Sequence, residues 1–199
     1  MKKLPFILFF SLLLLSCKSQ NSGSIGNYTV NPQLKEEVSK YTFHMNGVPM
    51  GNMEIRLYED DKIVFDNFGK ENEKAELLYM IFRQGDTIEI TGFVGFAMAI
   101  GFYLDLFGDN YELTYLEKAD SEIYKYNESD TKLTYKLSVP CSYTSCILTE
   151  KPTFKKEDPI AGMVELKSND FWRIANGKKN KYRVELKAYF TTKLLKEEE

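Results

Sequence analysis

Alternation of apolar and polar residues with a period of two runs along most of this chain, and it limits the possible folds more than any other feature. A β-strand points successive side chains to opposite faces of a sheet, so this alternation predicts strands with one buried face. It is clearest in residues 41–45, 53–58, 111–115, 133–139, 163–167 and 182–190. Turn residues such as Asn46-Gly47, Glu59-Asp60-Asp61 and Gly108-Asp109-Asn110 separate these segments. We therefore predict a mainly β single domain, an antiparallel sandwich or barrel.

One segment, residues 92–107, is almost continuously apolar and does not alternate. A strand from Phe96 would place one set of large apolar side chains on one face: Phe96, Met98, Ile100, Phe102, Leu104 and Leu106. Ala97, Ala99 and Gly101 would lie on the other face, where something must approach closely. A helix is the rival structure, although each glycine in its interior would cost about 1 kcal/mol. We predict a buried strand. A helix, or an apolar surface facing a partner or ligand, stays open as an alternative.

The amino terminus has the shape of an export signal. Lys2 and Lys3 precede an apolar run that covers residues 4–16, too short for a membrane-spanning helix of roughly 20 residues. The run ends in Leu14-Leu15-Ser16-Cys17, which resembles the lipobox of bacterial lipoprotein precursors. The resemblance implies a diacylglycerol thioether on Cys17, cleavage before it and acylation, such as palmitoylation, of the new amino terminus. Residues 1–16 are then a lipoprotein signal peptide.

The chain after the signal divides into two parts. Residues 17–27 comprise the lipidated Cys17 and a polar segment without periodicity, which predicts a flexible tether. Residues 28–199 form the β-rich globular domain, with a short helix near 32–39. Resemblance to the sorting rule of enteric bacteria implies the outer membrane rather than the inner, because Lys18 follows the cysteine. The expected location is the cell envelope, on its periplasmic or its outer surface.

Charge and cysteine content limit the partners. The formal charge of −3 becomes −5 once Lys2 and Lys3 leave with the signal, so nucleic acid is not an expected partner. With Cys17 lipidated, Cys141 and Cys146 remain as a pair in an oxidising compartment. Four small or turn-tolerant residues separate them, which favours a hairpin whose neck a disulfide closes. Free thiols are the main alternative, and a redox role is the weaker one, since the spacing is not Cys-x-x-Cys.

Residue sets for catalysis are sparse. His44 is the only histidine, and no phosphate-binding glycine loop, zinc set or serine-nucleophile motif occurs, so we expect no enzyme, cofactor or metal site. Acids at 59–61 and at Asp105 with Asp109 fit solvated turns better than calcium or acid–base sites. Phe171 and Trp172 are predicted to lie in a loop and form the candidate ligand-binding site. The alternative places Trp172 in the core.

Residues 160–190 resemble small envelope lipoproteins of Gram-negative bacteria, a similarity that carries no chemical motif and implies no activity. The sequence thus predicts a membrane-anchored, non-enzymatic binding or assembly module with a protein partner in the envelope. Two other hypotheses stay open: a carboxylate-dependent enzyme acting on envelope glycans, and a lipocalin-type carrier of a small apolar ligand.

Overall fold

A computed structural model describes residues 23–45, 48–95, 98–155 and 158–191. The lipobox, most of the predicted tether and the Asn46-Gly47 turn lie outside the described residues. The described residues form one helix of two turns, α1 (Leu34–Tyr41), one 3-10 turn (Glu71–Glu73) and fifteen strands. The strands are β1 (Ser24–Asn27), β2 (Thr29–Val30), β3 (Thr42–Met45), β4 (Val48–Glu59), β5 (Lys62–Asp66), β6 (Ala75–Gln84), β7 (Thr87–Val94), β8 (Ala99–Phe107), β9 (Asn110–Lys118), β10 (Tyr124–Lys125), β11 (Lys136–Val139), β12 (Cys141–Leu148), β13 (Ala161–Ser168), β14 (Phe171–Ala175) and β15 (Lys178–Thr191).

All strands belong to one sheet, and the predicted mainly β, barrel-like fold is confirmed. Its main path runs β1-β9-β8-β7-β6-β4-β15-β13-β12-β2, and the sheet curls into a nearly closed barrel. Neighbours along this path pair antiparallel except β12 and β2, which pair parallel. Short strands are added at the sides: β3 and β5 on β4, β11 on β9, and β10 through β14 on β15.

Tight turns connect the hairpins where the sequence places turn residues. Asp60 and Asp61 both have positive φ, 48° and 64°, as the central residues of a two-residue hairpin turn require. Asn176 and Gly177 adopt the same conformation, 52° and 73°, between β14 and β15. Asp and Asn tolerate this left-handed region better than other side chains with a Cβ atom. The turns therefore fix which residues of the flanking strands face each other.

One continuous apolar core fills the barrel. Alternate side chains of the long strands point inward, and most of them are buried. The large, fully buried ones include Phe102, Phe171, Phe190, Tyr79 and Tyr115. Cores packed at the density of protein interiors leave little room for a ligand. The barrel interior is therefore a hydrophobic core.

The apolar segment 92–107 contains a strand, as predicted, and the helical alternative is wrong for residues 99–107. Phe102, Leu104 and Leu106 point inward and are fully buried. The prediction is wrong for Met98, which is 53% exposed just before the strand begins, and Phe96 and Ala97 lie outside the described residues. The close approach expected at Gly101 comes from the neighbouring strand, because a Cβ atom there would collide with the backbone carbonyl of Gly92. Gly92 in turn leaves room for the ring of Phe102.

The N-terminal strands close the barrel. Ser24–Asn27, expected to belong to the flexible tether, instead form β1 and pair with β9 at one edge of the sheet. Two residues later, β2 pairs with β12 at the other edge, so the chain crosses the seam at Tyr28. Tyr28 is nearly buried, and its hydroxyl donates to the carbonyl of Gly108 at 3.1 Å. The prediction missed β1 because Ser24, Gly26 and Asn27 have low strand propensity. Backbone pairing with β9 holds the strand, together with hydrogen bonds from Ser24 Oγ to the carbonyl of Cys141 at 2.6 Å and from Asn27 Nδ2 to Asn110 Oδ1 at 3.0 Å.

Helix α1 lies on the outside of the barrel, against β13 and β15. Leu34 and Val38 face Ala161, Met163 and Tyr189 in a second, smaller apolar cluster. The predicted helix at 32–39 is thus confirmed two residues further along the chain. In the part of the chain that the structure describes, no helix has the length and apolar character of a membrane span.

Candidate functional site

Phe171 and Trp172 do not lie in a loop: they begin strand β14. Phe171 points into the core, is fully buried, and its ring lies 5.9 Å from that of Tyr115 and 6.0 Å from that of Tyr182, centroid to centroid. Trp172, next along the strand, points the other way and is only partly buried. The expectation of an exposed aromatic pair is therefore wrong for Phe171, and only Trp172 offers a surface.

Behind Phe171 lies a buried ion pair that the sequence analysis did not find. Glu117 is completely buried, and its Oε1 accepts hydrogen bonds from Arg173 Nη2 at 2.5 Å and from the hydroxyl of Tyr115. The Arg173 side chain is 14% exposed. Since a buried charge without its partner costs several kcal/mol, each of these two residues requires the other.

Aromatic rings surround the guanidinium of Arg173. Its central carbon lies 4.3 Å from the ring centroid of Tyr182, 5.7 Å from that of Phe171 and 5.9 Å from that of Tyr124, which suits cation–π attraction. Burial is the largest single influence on the pKa of Arg173 and lowers it, but the charge and hydrogen bond of Glu117, together with Tyr115 and Tyr124, outweigh burial and raise the net pKa. Burial and the Glu117 carboxylate raise the pKa of Tyr115 and of Tyr124. Arg173, Tyr115 and Tyr124 therefore stay protonated at neutral pH, and the cluster is suited to holding β9 and β14 together.

The sequence did contain a signal for this cluster. In β9 the inward positions are Tyr111, Leu113, Tyr115 and, continuing the alternation, Glu117. A carboxylate on the apolar side of an alternating strand predicts a buried charge with a partner. Its partner, Arg173, could be found only once β14 was recognised as a strand.

Residues that lie close to this cluster in the sequence line a polar cleft of about 320 Å³. Its lining includes Tyr126, Asn169 and two carboxylates, Asp130 and Asp170, and the last directly precedes Phe171. Asp130 accepts a hydrogen bond from the backbone N–H of Asn127 at 2.8 Å, which lowers the pKa of its carboxyl group. The cleft thus offers the ionised carboxylate of Asp130, the acidic side chain of Asp170 and side-chain amides to a hydroxyl-rich ligand.

The predicted hairpin between Cys141 and Cys146 is wrong, because both cysteines lie on the single strand β12. Five residues of a strand span roughly 16 Å, far beyond the reach of a disulfide, and both cysteines are free. Tyr143 and Thr144 favour strands, and Pro140 marks the point where the chain passes from β11 to β12. Both cysteines belong to the buried apolar core, and this burial raises the pKa of each thiol to about 12.

The remaining polar candidates are scattered. His44 lies on β3, Asp60 and Asp61 form a hairpin turn, and Asp109 pairs with Lys151 at 2.7 Å in another turn. Among the described residues, no group of three or more His, Cys, Asp or Glu side chains is placed to hold a metal ion.

The outer face of β6–β9 is the most distinctive surface, and we call it the acidic–aromatic face. Its outward residues on β6 include Met80 and Phe82, which are 44% and 56% exposed. The register aligns Phe82, Glu89, Asp105, Glu112 and the 65% exposed Ile25 in one row across five strands. Three carboxylates therefore lie side by side between apolar side chains.

The neighbouring row of the acidic–aromatic face carries Met80, Thr91, Tyr103 and Thr114. Burial, together with the charges of Asp105 and Glu89, raises the pKa of the Tyr103 hydroxyl, which is hydrogen-bonded to both carboxylates. The phenol therefore stays protonated and bridges two of the acids. This hydrogen bonding explains how two like charges tolerate each other at one end of the row.

On the opposite half of the barrel exterior, carboxylates are paired with cations. On β4, β13 and β15, carboxylates and cations alternate across the strands. Arg56 binds Asp66 at 2.9 Å and Glu185 at 3.1 Å, and Lys167 binds Glu185 at 3.3 Å. Lys74 and Glu54 pair at 2.8 Å under the ring of Tyr41. Helix α1 covers part of this half, where Lys187 also reaches Glu37 at 3.6 Å.

Together these features define a small, nearly closed β-barrel domain with a packed interior and chemically distinct outer faces. Comparison with known proteins finds no match: no protein-family model, curated protein or solved structure is similar to this chain.

Proposed function

We propose that this protein is a lipid-anchored lipoprotein of the bacterial envelope that acts as a non-enzymatic binding or assembly module through the outside of its barrel. The observation that carries the proposal is the packed interior: one continuous apolar core occupies the space in which a lipocalin-type carrier would hold its ligand. Recognition therefore falls to the exterior, where exposed Met80 and Phe82 offer apolar contact.

The position of β1 supports a short tether. Cys17 precedes Gly23, the first described residue, by six positions, and six residues span at most about 21 Å when fully extended. Acyl chains on Cys17 would keep the barrel at the membrane surface, because each buried methylene contributes about 0.8 kcal/mol and several chains add together. A partner would then be met close to the bilayer, which the residue after the cysteine, Lys18, implies is the outer membrane.

The anchor is tested by metabolic labelling of growing bacteria with an alkyne fatty acid. The wild-type chain should become labelled, and a Cys17→Ser variant should not. Labelling that persists in the Cys17→Ser variant, or is absent from wild type, would refute the anchor.

The binding role is tested by photo-crosslinking in the same cells. A benzoylphenylalanine placed in turn at Phe82, Tyr143 and Trp172, which lie on three parts of the exterior, should yield a discrete protein adduct from at least one position. Failure at all three positions in a lipidated, folded protein would refute the binding module.

The polar cleft favours a second candidate, a protein that acts on or binds envelope glycans. Asp130 and Asp170 both line it, and Tyr126 offers a ring beside them. A glycosidase needs one carboxyl group with a raised pKa as general acid, whereas that of Asp130 is lowered. The cleft therefore supports glycan binding better than hydrolysis. An Asp170→Asn variant should lose affinity for muropeptides in a calorimetric titration, and equal affinity would remove this candidate.

A further inference from the structure

The acidic–aromatic face has no covering element. Helix α1 packs against β13 and β15, and none of the described elements lies over the outer side of β6, β7 and β8. Met80 and Phe82 are left about half exposed next to the acids of the row. Exposed apolar side chains with a charged surround mark interaction sites in soluble domains.

The row of carboxylates has no cation at the neighbouring outward positions of its own strands. The outward positions of β6–β9 from Leu78 to Gln84, Thr87 to Phe93, Gly101 to Phe107 and Asn110 to Leu116 include no Lys or Arg. Lys118, the outward residue at the end of β9, lies opposite Ala99, away from the row. Glu89 and Glu112 take part in none of the ion pairs between described residues. Like charges directly opposite each other in a sheet are destabilising.

The contrast with the other half of the barrel makes this arrangement informative. There, Glu185 alone contacts two cations, Arg56 and Lys167, within the same sheet. The same chain thus neutralises its carboxylates on one face and leaves Glu89 and Glu112 without a cation on the other. A partner that supplies cations would form the ion pairs that Glu89 and Glu112 lack, and this charge complementarity would make binding specific for a basic partner.

We propose that the acidic–aromatic face docks a protein segment that carries Lys or Arg next to apolar side chains. Its cations lie over Glu89 and Glu112, and its apolar side chains cover Met80 and Phe82. An anionic lipid surface is disfavoured as the occupant because the row of carboxylates repels it. This inference rests on the proposed binding function and names the surface and the partner chemistry.

The test uses the full-length, lipidated chain in growing bacteria with the photo-crosslinker at Phe82. The first comparison is with the crosslinker at Tyr143, which is 53% exposed on β12, away from the face. We expect a discrete adduct from position 82 whose partner sequence, read by mass spectrometry at the crosslinked peptide, combines basic and apolar residues. An adduct from position 143 but not from 82 overturns the inference and leaves the binding function standing.

The second comparison removes charge. A Glu89→Gln/Glu112→Gln variant should reduce the yield of the position-82 adduct about fivefold, since two charge contacts are lost. A Glu122→Gln/Glu150→Gln variant, with the same change in net charge at exposed sites elsewhere, should leave it unchanged. An unchanged yield in the first variant, or a crosslinked peptide without cations, overturns the inference.

Folding of the charge variant is checked independently. Because the substitutions relieve like-charge repulsion, its melting temperature should equal or exceed that of the parent chain. A lower yield at an unchanged melting temperature assigns the effect to docking. If no position yields an adduct, the proposed binding function fails together with this inference.

Discussion

Replacing Glu117 by Gln tests the energetics of the buried cluster. The substitution keeps the size and one acceptor oxygen of the side chain but leaves the guanidinium of Arg173 without a counter-charge. Glu117 is completely buried and the Arg173 side chain is 14% exposed, so solvent screens little of the lost interaction. Breaking such a pair from one side costs about 3–5 kcal/mol.

The expected loss is measurable as a melting temperature. For a domain of this size, 1 kcal/mol corresponds to roughly 2–4 °C, so the Glu117→Gln variant should melt about 6–20 °C lower. The assay is thermal and urea unfolding of the signal-free Cys17→Ser chain, followed by circular dichroism. Glu122→Gln is the matched control, because Glu122 is exposed and its loss should change stability by less than about 0.5 kcal/mol.

A second substitution separates charge from packing. In a Glu117→Gln/Arg173→Met variant the buried charge is gone, and an apolar side chain remains among the three rings. The double variant should therefore be more stable than Glu117→Gln alone, since removing both charges is far less costly than stranding one. Two results would refute this reasoning. One is a Glu117→Gln variant whose free energy of unfolding lies within 1 kcal/mol of that of the parent. The other is a double variant whose loss of stability equals the sum of the losses measured for Glu117→Gln and Arg173→Met separately.

Four further predictions concern the core and the seam. In the signal-free Cys17→Ser chain, Cys141 and Cys146 should resist Ellman's reagent until denaturation releases two thiols; fewer than two would show that they are bonded. Because burial raises their pKa from 9.0 to about 12, the unfolded chain loses these protons first, and stability should fall by about 1.4 kcal/mol per thiol for each pH unit between 9 and 12. A Cys141→Ala/Cys146→Ala variant that keeps the full decline would contradict this assignment. Gly101→Ala should destabilise by several kcal/mol because its Cβ meets the Gly92 carbonyl, whereas Ala99→Gly on the same strand should cost about 1 kcal/mol; equal urea midpoints would contradict it. Tyr28→Ala should cost about 3 kcal/mol and Tyr28→Phe about 1 kcal/mol, and if neither shifts the midpoint the chain does not close the barrel there.

The fold class followed from local patterns, and its errors also have local causes. Period-two alternation and turn residues predicted the long hairpins because these depend on neighbours in sequence. The segment at Phe171 was misassigned although Asn176-Gly177 follows it, and that pair is a strong signal for a two-residue hairpin turn. A hairpin turn at Asn176-Gly177 predicts a strand in the residues that precede it. Phe171 and Arg173 would then have shared its inner face.

The prediction of a disulfide-closed hairpin at Cys141 and Cys146 was wrong for a different reason. Its spacing suggested a turn, but Ser-Tyr-Thr-Ser contains neither Gly nor Asn nor Asp, and Tyr and Thr favour extended structure. A bulge between Cys141 and Tyr143 then places both thiols on the buried side of one strand despite their odd separation. Bulges depend on the partner strand, so sequence alone could not supply that offset.

On the acidic–aromatic face, one pairing of carboxylates could be predicted from the sequence and the other could not. The Gly108-Asp109 turn joins Phe107 to Asn110, so the pairing of Asp105 with Glu112 follows from counting back along both strands. The pairing of Asp105 with Glu89 does not, because the connection before β8 is longer and its register depends on which inner side chains fit the core. Inner packing thus decides which charges meet on the outer face.

The same coupling connects the anchor to the docking face. β1 continues directly from the segment that carries Cys17, and it pairs with β9 so that Ile25 lies opposite Glu112. Ser24 follows Cys17 by seven positions, so the lipid proposed on Cys17 would lie within about 25 Å of this edge of the face. Under the proposed anchor, a partner that reaches Glu112 would itself lie near the bilayer. Strand β1 would then also set where the proposed docking face is presented.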